Sequence, residues 1–469
     1  MASRKDQLQS YQFLLQRVVS AVVMRETDPA QAPLRRGISA VFVGLMISVI
    51  VAAGFGVYGL LTKIGSGRWA TDGAVVVEKE TGAAYVYRAK SLTPALNYTS
   101  ALLLSGQTPP KVFSVSRNAL TGIRRGITRG IPGAPNALPD RKKITAAPWT
   151  LCSIPGQDEA GNRISTTGLA VGRPPRGGRL LGKKGFLVAD SRSRVSYLVW
   201  NSHRFQISSP STVIPSLFGA GTEAVTVGTA WLNGLPLGEN VGPINVPNRG
   251  AASHDVPGRR NGDLIFDKVG TGDEQHYLVF DDGLAPVTKL QKDILIGQFS
   301  MTPQEVPAAD VNRAKKSGRL SAGFDQDARA PVEAPRLAEH NSVETVVCAV
   351  SRTADAQPEV IVDTAFPNIG PGTQTGSQTA LGGSLADFVA VPAGQVAVVR
   401  AMASPSAPTG AYSIVTDIGI RYAVPSGEAL ATLGYAPGDA VEMPASLVNR
   451  IPAGPTLSRV AAARAAGPD

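Results

Sequence analysis

Residues Ile38 to Leu61 read ISAVFVGLMISVIVAAGFGVYGLL and carry no charged side chain. As a helix this run of about 24 residues is roughly 36 Å long, enough to cross a hydrocarbon core of roughly 30 Å with some tilt. A buried helix of a soluble protein would show a polar face or an interrupting charge. Here only Ser39, Ser48 and glycines relieve the run, and all are tolerable inside a membrane helix. A cleaved signal peptide is the competing reading. It is disfavoured because about 37 residues precede the run and because the run exceeds the usual apolar core of a signal. The span therefore reads as an uncleaved anchor.

Charge orients it. Arg4, Lys5, Arg17, Arg25, Arg35 and Arg36 precede the span, whereas only Lys63, Arg68 and Lys79 follow closely. The excess of positive charge puts the N-terminus in the cytoplasm and about four hundred residues on the far side of the membrane. Lengths of that order exceed what one hydrophobic core sustains, so several units are expected. Gly (50) and Pro (35) are abundant while charged residues are 17% of the chain, which favours many short elements joined by turns. The net charge of +10 comes from scattered residues without the spacing of a nucleic-acid motif. It reads as a solvated surface or one that meets anionic wall polymer.

Two cysteines, Cys152 and Cys348, both follow the span. In an oxidising compartment an even count favours a bridge, and two cysteines allow one pairing; two free thiols are the alternative. Ahead of the span, Ser3-Arg4-Lys5-Asp6 resembles a capping box, and Leu8, Tyr11, Leu15, Val18 and Val22 recur at helical spacing. Phe13, Leu14, Val19 and Val23 widen that stripe, so the arm is read as a helix that docks a partner; lying on the membrane surface is the alternative. Asp28-Pro29 and Ala32-Pro33 are expected to end it.

The remainder carries a weak internal repeat: strand, turn, strand, helix, strand, helix. It is clearest in Tyr412 to Thr416, Ile420 to Ser426, Glu428 to Gly434 and Met443 to Gly454. Related runs begin at Tyr197 and Tyr277, and an eroded copy at Tyr85. In each closing element an apolar residue is followed by others five and eight positions later, one face of a short helix. The expected fold class is α+β: an N-terminal cytoplasmic helix, one transmembrane helix, and an extracytoplasmic mixed α/β region of four small repeats around a central β-rich domain. The boundaries are a cytoplasmic amphipathic arm over 1–37, the transmembrane helix over 38–61 and a linker over 62–72. Repeats occupy 73–143, 188–250, 274–340 and 406–460. Pieces of the central domain lie at 144–187, 251–273 and 341–405, followed by a tail over 461–469.

Chemistry is poorly supported. Gly177-Gly178-Arg179-Leu180-Leu181-Gly182-Lys183-Lys184 fits the phosphate-loop spacing, but Lys184 stands where Ser or Thr should bind magnesium and no apolar strand precedes it. It reads as a basic surface loop. His203, His254, His276 and His340 are widely spaced and form no zinc motif. Asp281-Asp282-Gly283 is read as a hairpin turn, since the rest of a calcium loop is missing. No catalytic residue, metal ligand or cofactor is assigned.

The arm pattern of Gln7, Ser10-Tyr11, Phe13-Leu14-Leu15, Arg17, Ala21-Val22, Arg25 and Asp28-Pro29, followed by one span, resembles the EccB component of actinobacterial type VII (ESX) secretion systems. Gly130 to Pro135, Leu138-Pro139, Trp149 to Cys152, Gly419 to Ser426 and Ala429 to Tyr435 extend the resemblance over essentially the whole chain. The resemblance implies an integral subunit of a secretion membrane complex beside a cytoplasmic motor ATPase and other membrane components. It also implies four repeats around a central domain closed by a disulfide. Family members are sometimes labelled ATPases; without an intact nucleotide motif that label is not carried over. The expected role is structural. Cytoplasmic partners dock through Leu8, Tyr11, Phe13, Leu14, Leu15, Val18 and Val22, and the repeats self-associate or contact wall polymer. An extracytoplasmic nucleotide hydrolase and a peptidoglycan-binding module are the alternatives.

Overall fold

The computed structural model describes residues 4–25, 35–62, 67–157, 160–161, 163–269, 272–320, 325–342 and 344–466. The expected capping residue Ser3 and the helix stops at Asp28-Pro29 and Ala32-Pro33 lie outside them. The chain divides into two units, Met1–Ala70 and Thr71–Asp469.

In the first unit the uninterrupted arm sequence forms helix α1 (Arg4–Met24), and the uncharged run forms α2 (Arg35–Thr62). Within α2, Gly37–Tyr58 is long and apolar enough to cross a membrane, and it is the one helix among the described residues that is. Its side chains stand exposed, Phe55 at 74%. Its polar relief is satisfied internally, since the Ser48 hydroxyl donates to the Gly44 carbonyl at 2.9 Å.

Among the described residues, the second unit is built from one seven-stranded sheet, the central sheet, and four smaller ones. The smaller sheets share a plan. In each, the first strand pairs antiparallel with the second, the second antiparallel with the third, and a fourth returns parallel beside the first. The parallel return needs a crossover, and a helix supplies it each time.

The first small sheet is Val75–Glu78, Ala84–Arg88, Ser91–Ala95 and Val112–Val115, with α3 (Tyr98–Ser105) as crossover and Arg124–Arg125 added at one edge. Asn97 caps α3 by accepting from the Ser100 amide at 2.9 Å, and Gly106 ends it at φ 73°. The second is Phe186–Asp190, Ser196–Trp200, His203–Ile207 and Val225–Val227, with α4 (Pro210–Phe218) crossing and α5 (Thr229–Gly234) closing. The third is Leu264–Val269, Asp273–Phe280, Gly283–Val287 and Gln304–Glu305, with α6 (Lys289–Phe299) crossing and α7 (Ala308–Arg313) closing. A full capping box between Thr288 and Gln291 starts α6. The fourth is Val396–Met402, Ala411–Thr416, Arg421–Val424 and Val441–Pro444, with α8 (Gly427–Thr432) crossing and α9 (Ala445–Val448) closing.

Each tyrosine-led run therefore forms the second strand of a sheet. What the sequence reading lacked, outside the first sheet, was the first strand. Leu264–Val269 and Val396–Met402, expected in the central domain, pair within the third and fourth small sheets, and Phe186 and Leu187 begin the first strand of the second sheet. Such a strand lies between two neighbours, and its buried part is a short apolar run without alternation (Phe186 to Val188, Leu264-Ile265, Val396 to Val399), which gives no local sign of its sheet.

The seven-stranded sheet has the order Thr373–Gln374, Phe388–Ala390, Arg163–Val171, Trp149–Gln157, Val347–Ser351, Glu359–Val362, Arg179–Leu180. One core joins it to the second and fourth small sheets through Trp149, Leu151, Leu169, Val188, Trp231, Val399 and Met443. Another joins the first and fourth through Val75, Leu103, Ile414 and Leu430. The third meets the second where α6 brings Leu290 and Ile294 against Leu198 and Phe205.

Candidate functional site: arm, membrane helix and cross-strand disulfide

The arm residues expected to dock a partner all lie on α1 and are solvent-exposed, from 44% for Leu15 to 77% for Val22. Phe13 carries the Arg17 guanidinium 5.6 Å from its ring centroid, and the Ser10 hydroxyl is tied back to the Asp6 carbonyl at 2.9 Å. Six of these side chains share one helix face at about 100° per residue, with Phe13 outside it, and together they are far more than the scattered surface leucine or valine of a solvated helix. The arm thus presents large aliphatic and aromatic groups to solvent with a cation beside one of them.

The cysteines meet. Cys152 and Cys348 stand directly opposite each other on antiparallel strands, are fully buried and are disulfide-bonded. The bond fastens two central strands whose sequence separation is 196 residues.

The loop with phosphate-loop spacing does different work. Arg179–Leu180 is an edge strand on Glu359–Val362, and the next element is another strand, Phe186–Asp190, so no helix N-terminus faces the glycines. At Gly178 a Cβ would come within 2.7 Å of Ile361 Cγ2 and 2.8 Å of the Val362 carbonyl, so this glycine permits close strand packing. Arg179 pairs with Asp363 and donates to the Glu339 carbonyl at 3.0 Å.

The histidines are also accounted for locally. His203 donates from Nδ1 to the Asn201 carbonyl at 2.8 Å, His254 meets Asp255 at 2.8 Å, His276 stacks on Phe266 and His340 stands edge-on to Phe186. Among the described residues no three His, Cys, Asp or Glu side chains are grouped to hold a metal. Asp281 and Asp282 form the turn between two antiparallel strands; Asp281 accepts from the His254 amide and Asp282 from Arg319, both at 3.0 Å.

The sequence reading missed an ion pair in the first small sheet between a buried carboxylate and an exposed arginine. Glu78, 3% exposed, accepts from Arg117 Nε at 2.7 Å, and that guanidinium holds its carboxyl below the usual glutamate range. It also missed the joint where α5 and α9 meet on the central sheet. The Ser446 hydroxyl donates to the Gly234 carbonyl at 3.4 Å, and a Cβ at Gly234 would lie 2.4 Å from Leu151 Cδ2. Both elements were visible as closing runs, but nothing in them signalled that they touch.

The chain is similar in sequence and fold to known proteins. The chain is 28% identical over 475 residues to the ESX-1 secretion system ATPase EccB1 of Mycolicibacterium smegmatis, covering 98% of this chain and 94% of that protein. It is 26% identical over 475 residues to the ESX-3 secretion system ATPase EccB3 of the same species, covering 97% and 89%. Among solved structures, an EccB3 dimer from the ESX-3 core complex matches 84% of this chain and 100% of that chain at a TM-score of 0.59 and 25% identity. An intact ESX-5 inner membrane complex contains a chain of the same fold, with a TM-score of 0.61, 21% identity and coverage of 100% and 96%. The family described as type VII secretion system ESX-1, transport TM domain B, matches residues 1–467, and the chain belongs to that family, EccB.

Proposed function

We propose that the protein is a structural, membrane-anchored subunit of a type VII secretion assembly in the inner membrane. The observation that carries this reading is the family match over residues 1–467, which includes the exposed apolar arm and the membrane helix as well as the folded region. In this reading α2 crosses the membrane with the N-terminus in the cytoplasm, as the preceding arginines favour. The α1 side chains Leu8, Tyr11, Phe13, Leu14, Leu15, Val18 and Val22 dock cytoplasmic and membrane components of the machine. Thr71 to Asp469 stands in the periplasm-like space. Its four small sheets are copies of one repeat on a central sheet, and through them the protein self-associates, as the dimer of its ESX-3 relative supports.

The test is purification of the tagged full chain in mild detergent with identification of what accompanies it. Other secretion components are expected with the wild type and lost with Leu15→Asp combined with Val22→Asp. Co-purification unchanged by that pair would remove the docking role of α1.

The ATPase names of the relatives favour a second reading, extracytoplasmic nucleotide hydrolysis. The packing of Gly178 against Ile361 and the strand that follows the loop weigh against it. Hydrolysis by the purified chain that disappears on Lys183→Ala would reverse that judgement.

A further inference from the structure

Two arginines meet at the joint between the second small sheet, the central sheet and the fourth small sheet without a carboxylate between them. Arg204, on strand His203–Ile207, donates from Nη1 to Asn233 Oδ1 of α5 at 2.7 Å. Asn233 Nδ2 donates to the Ser384 hydroxyl at 3.0 Å. That hydroxyl also accepts from Arg450 Nη1, which reaches the Ser384 carbonyl at 2.7 Å. Arg450 Nε donates to the Ser446 carbonyl of α9 at 3.0 Å.

The network is unbalanced. Two guanidinium groups offer ten N–H bonds between them by their chemistry, and the acceptors they have found are a neutral amide, a hydroxyl and two carbonyls, while the Arg204 guanidinium also stands 5.8 Å from the Tyr197 ring centroid. Arg204 Nε is shielded from solvent and has no acceptor among the described residues. Neither arginine forms an ion pair with a described carboxylate. Asp190 acts on Arg204 only through space, its own oxygens accepting from Arg192 N, Ser193 Oγ and Thr229 Oγ1. Burial pushes both arginine pKa values down, and for Arg450 the charge of Arg204 adds to that effect. Cations drawn out of water are ordinarily paired. Here two half-buried cations are linked only through Asn233 and Ser384, with donors to spare.

We propose that Arg204, Asn233, Ser384 and Arg450 form a binding site for a small oxyanion of phosphate or carboxylate type, which locks the joint between the two small sheets and the central sheet. Planar guanidinium forks suit the paired oxygens of such an anion, and charge-assisted bonds to it are stronger than those the arginines now make to neutral groups. The anion supplies the missing negative charge and stabilises the folded state by mass action.

The test is thermal unfolding of the full chain in detergent, followed by tryptophan fluorescence, in sodium phosphate, acetate or chloride at matched ionic strength. Phosphate or acetate should raise Tm saturably above chloride, and the better of the two identifies the anion type. Arg450→Gln should weaken the apparent affinity about tenfold or more, as expected for loss of charge-assisted hydrogen bonds. The exposed Arg352→Gln should leave it unchanged. Asn233→Asp places a carboxylate inside the network, so it should raise Tm in chloride and abolish the response to added oxyanion; it serves where Arg450→Gln does not fold. Equal Tm values in all three salts, or a response in Arg450→Gln and Asn233→Asp matching the wild type, would overturn the proposal.

Discussion

Glu78 and Arg117 show what a single side chain contributes and what sequence pattern conceals. They are far apart in the chain, and they meet because the fourth strand of the first small sheet returns parallel to the first, setting Glu78 beside Val115. The arginine lowers the Glu78 pKa in the folded state, so the carboxylate's contribution is complete above its unfolded pKa and is lost as pH falls through the folded value. Glu78→Gln should therefore be less stable than wild type at pH 7. In urea unfolding the gap should close as pH is lowered past the depressed pKa; a gap independent of pH from 7 to 3 would refute this. Gly234 offers a steric counterpart. Its missing Cβ is the clearance between α5 and Leu151, inside a core that cannot yield freely, so Gly234→Ala should cost about 1–3 kcal/mol in the same assay. The cysteines were legible because two of them beyond a membrane span leave one partner each. Neither Glu78 nor Gly234 had such arithmetic behind it.

At the scale of elements, periodicity located most pieces but not their neighbours. The residues at 0, +5 and +8 of the closing runs are buried in the second sheet (Val227, Leu232, Leu235) and in the fourth (Met443, Val448, Ile451), where they face the central sheet. The third sheet repeats the pattern with Val306 and Val311, yet these belong to a separate small cluster, and α7 turns Asp310, Asn312 and Arg313 to solvent. One apolar face thus serves two situations, and the polar remainder of the helix distinguishes them. The membrane helix and the arm were legible for the opposite reason, since each is a long uninterrupted element whose meaning does not depend on what it touches. The central sheet was least legible: its adjacent strands Trp149–Gln157 and Val347–Ser351 are distant in the chain, their bridged cysteines 196 residues apart. The disulfide that joins them closes a loop of 196 residues, for which a chain-entropy account assigns roughly 5 kcal/mol. The double variant Cys152→Ser, Cys348→Ser should lose stabilisation of that order in urea unfolding, and a loss under about 1 kcal/mol would mean the bond adds little to strands already fixed by packing.

Across the whole folded region the sheets have unequal standing. The second and fourth small sheets share the core of the central sheet, and the first shares a core with the fourth. The third is held to the second largely where α6 lies on α4, with Gly297 of α6 so close to Ser216 of α4 that a Cβ would sit 1.8 Å from its Oγ. A unit that leans on one neighbour loses fewer contacts when it opens, and opening free energies within a native protein follow such local differences. Hydrogen exchange under native conditions should therefore show the strands Leu264–Val269 and Asp273–Phe280 opening before Trp149–Gln157 and Arg163–Val171. Gly297→Ala should widen that difference, because the added methyl drives α6 from α4 at an overpacking cost of about 1–3 kcal/mol while leaving the central core untouched. The decisive readout is where the change falls. Faster exchange confined to the third sheet follows from a single helix-on-helix attachment. Equal acceleration in the central strands would mean that the third sheet is coupled to the main core as strongly as the other three.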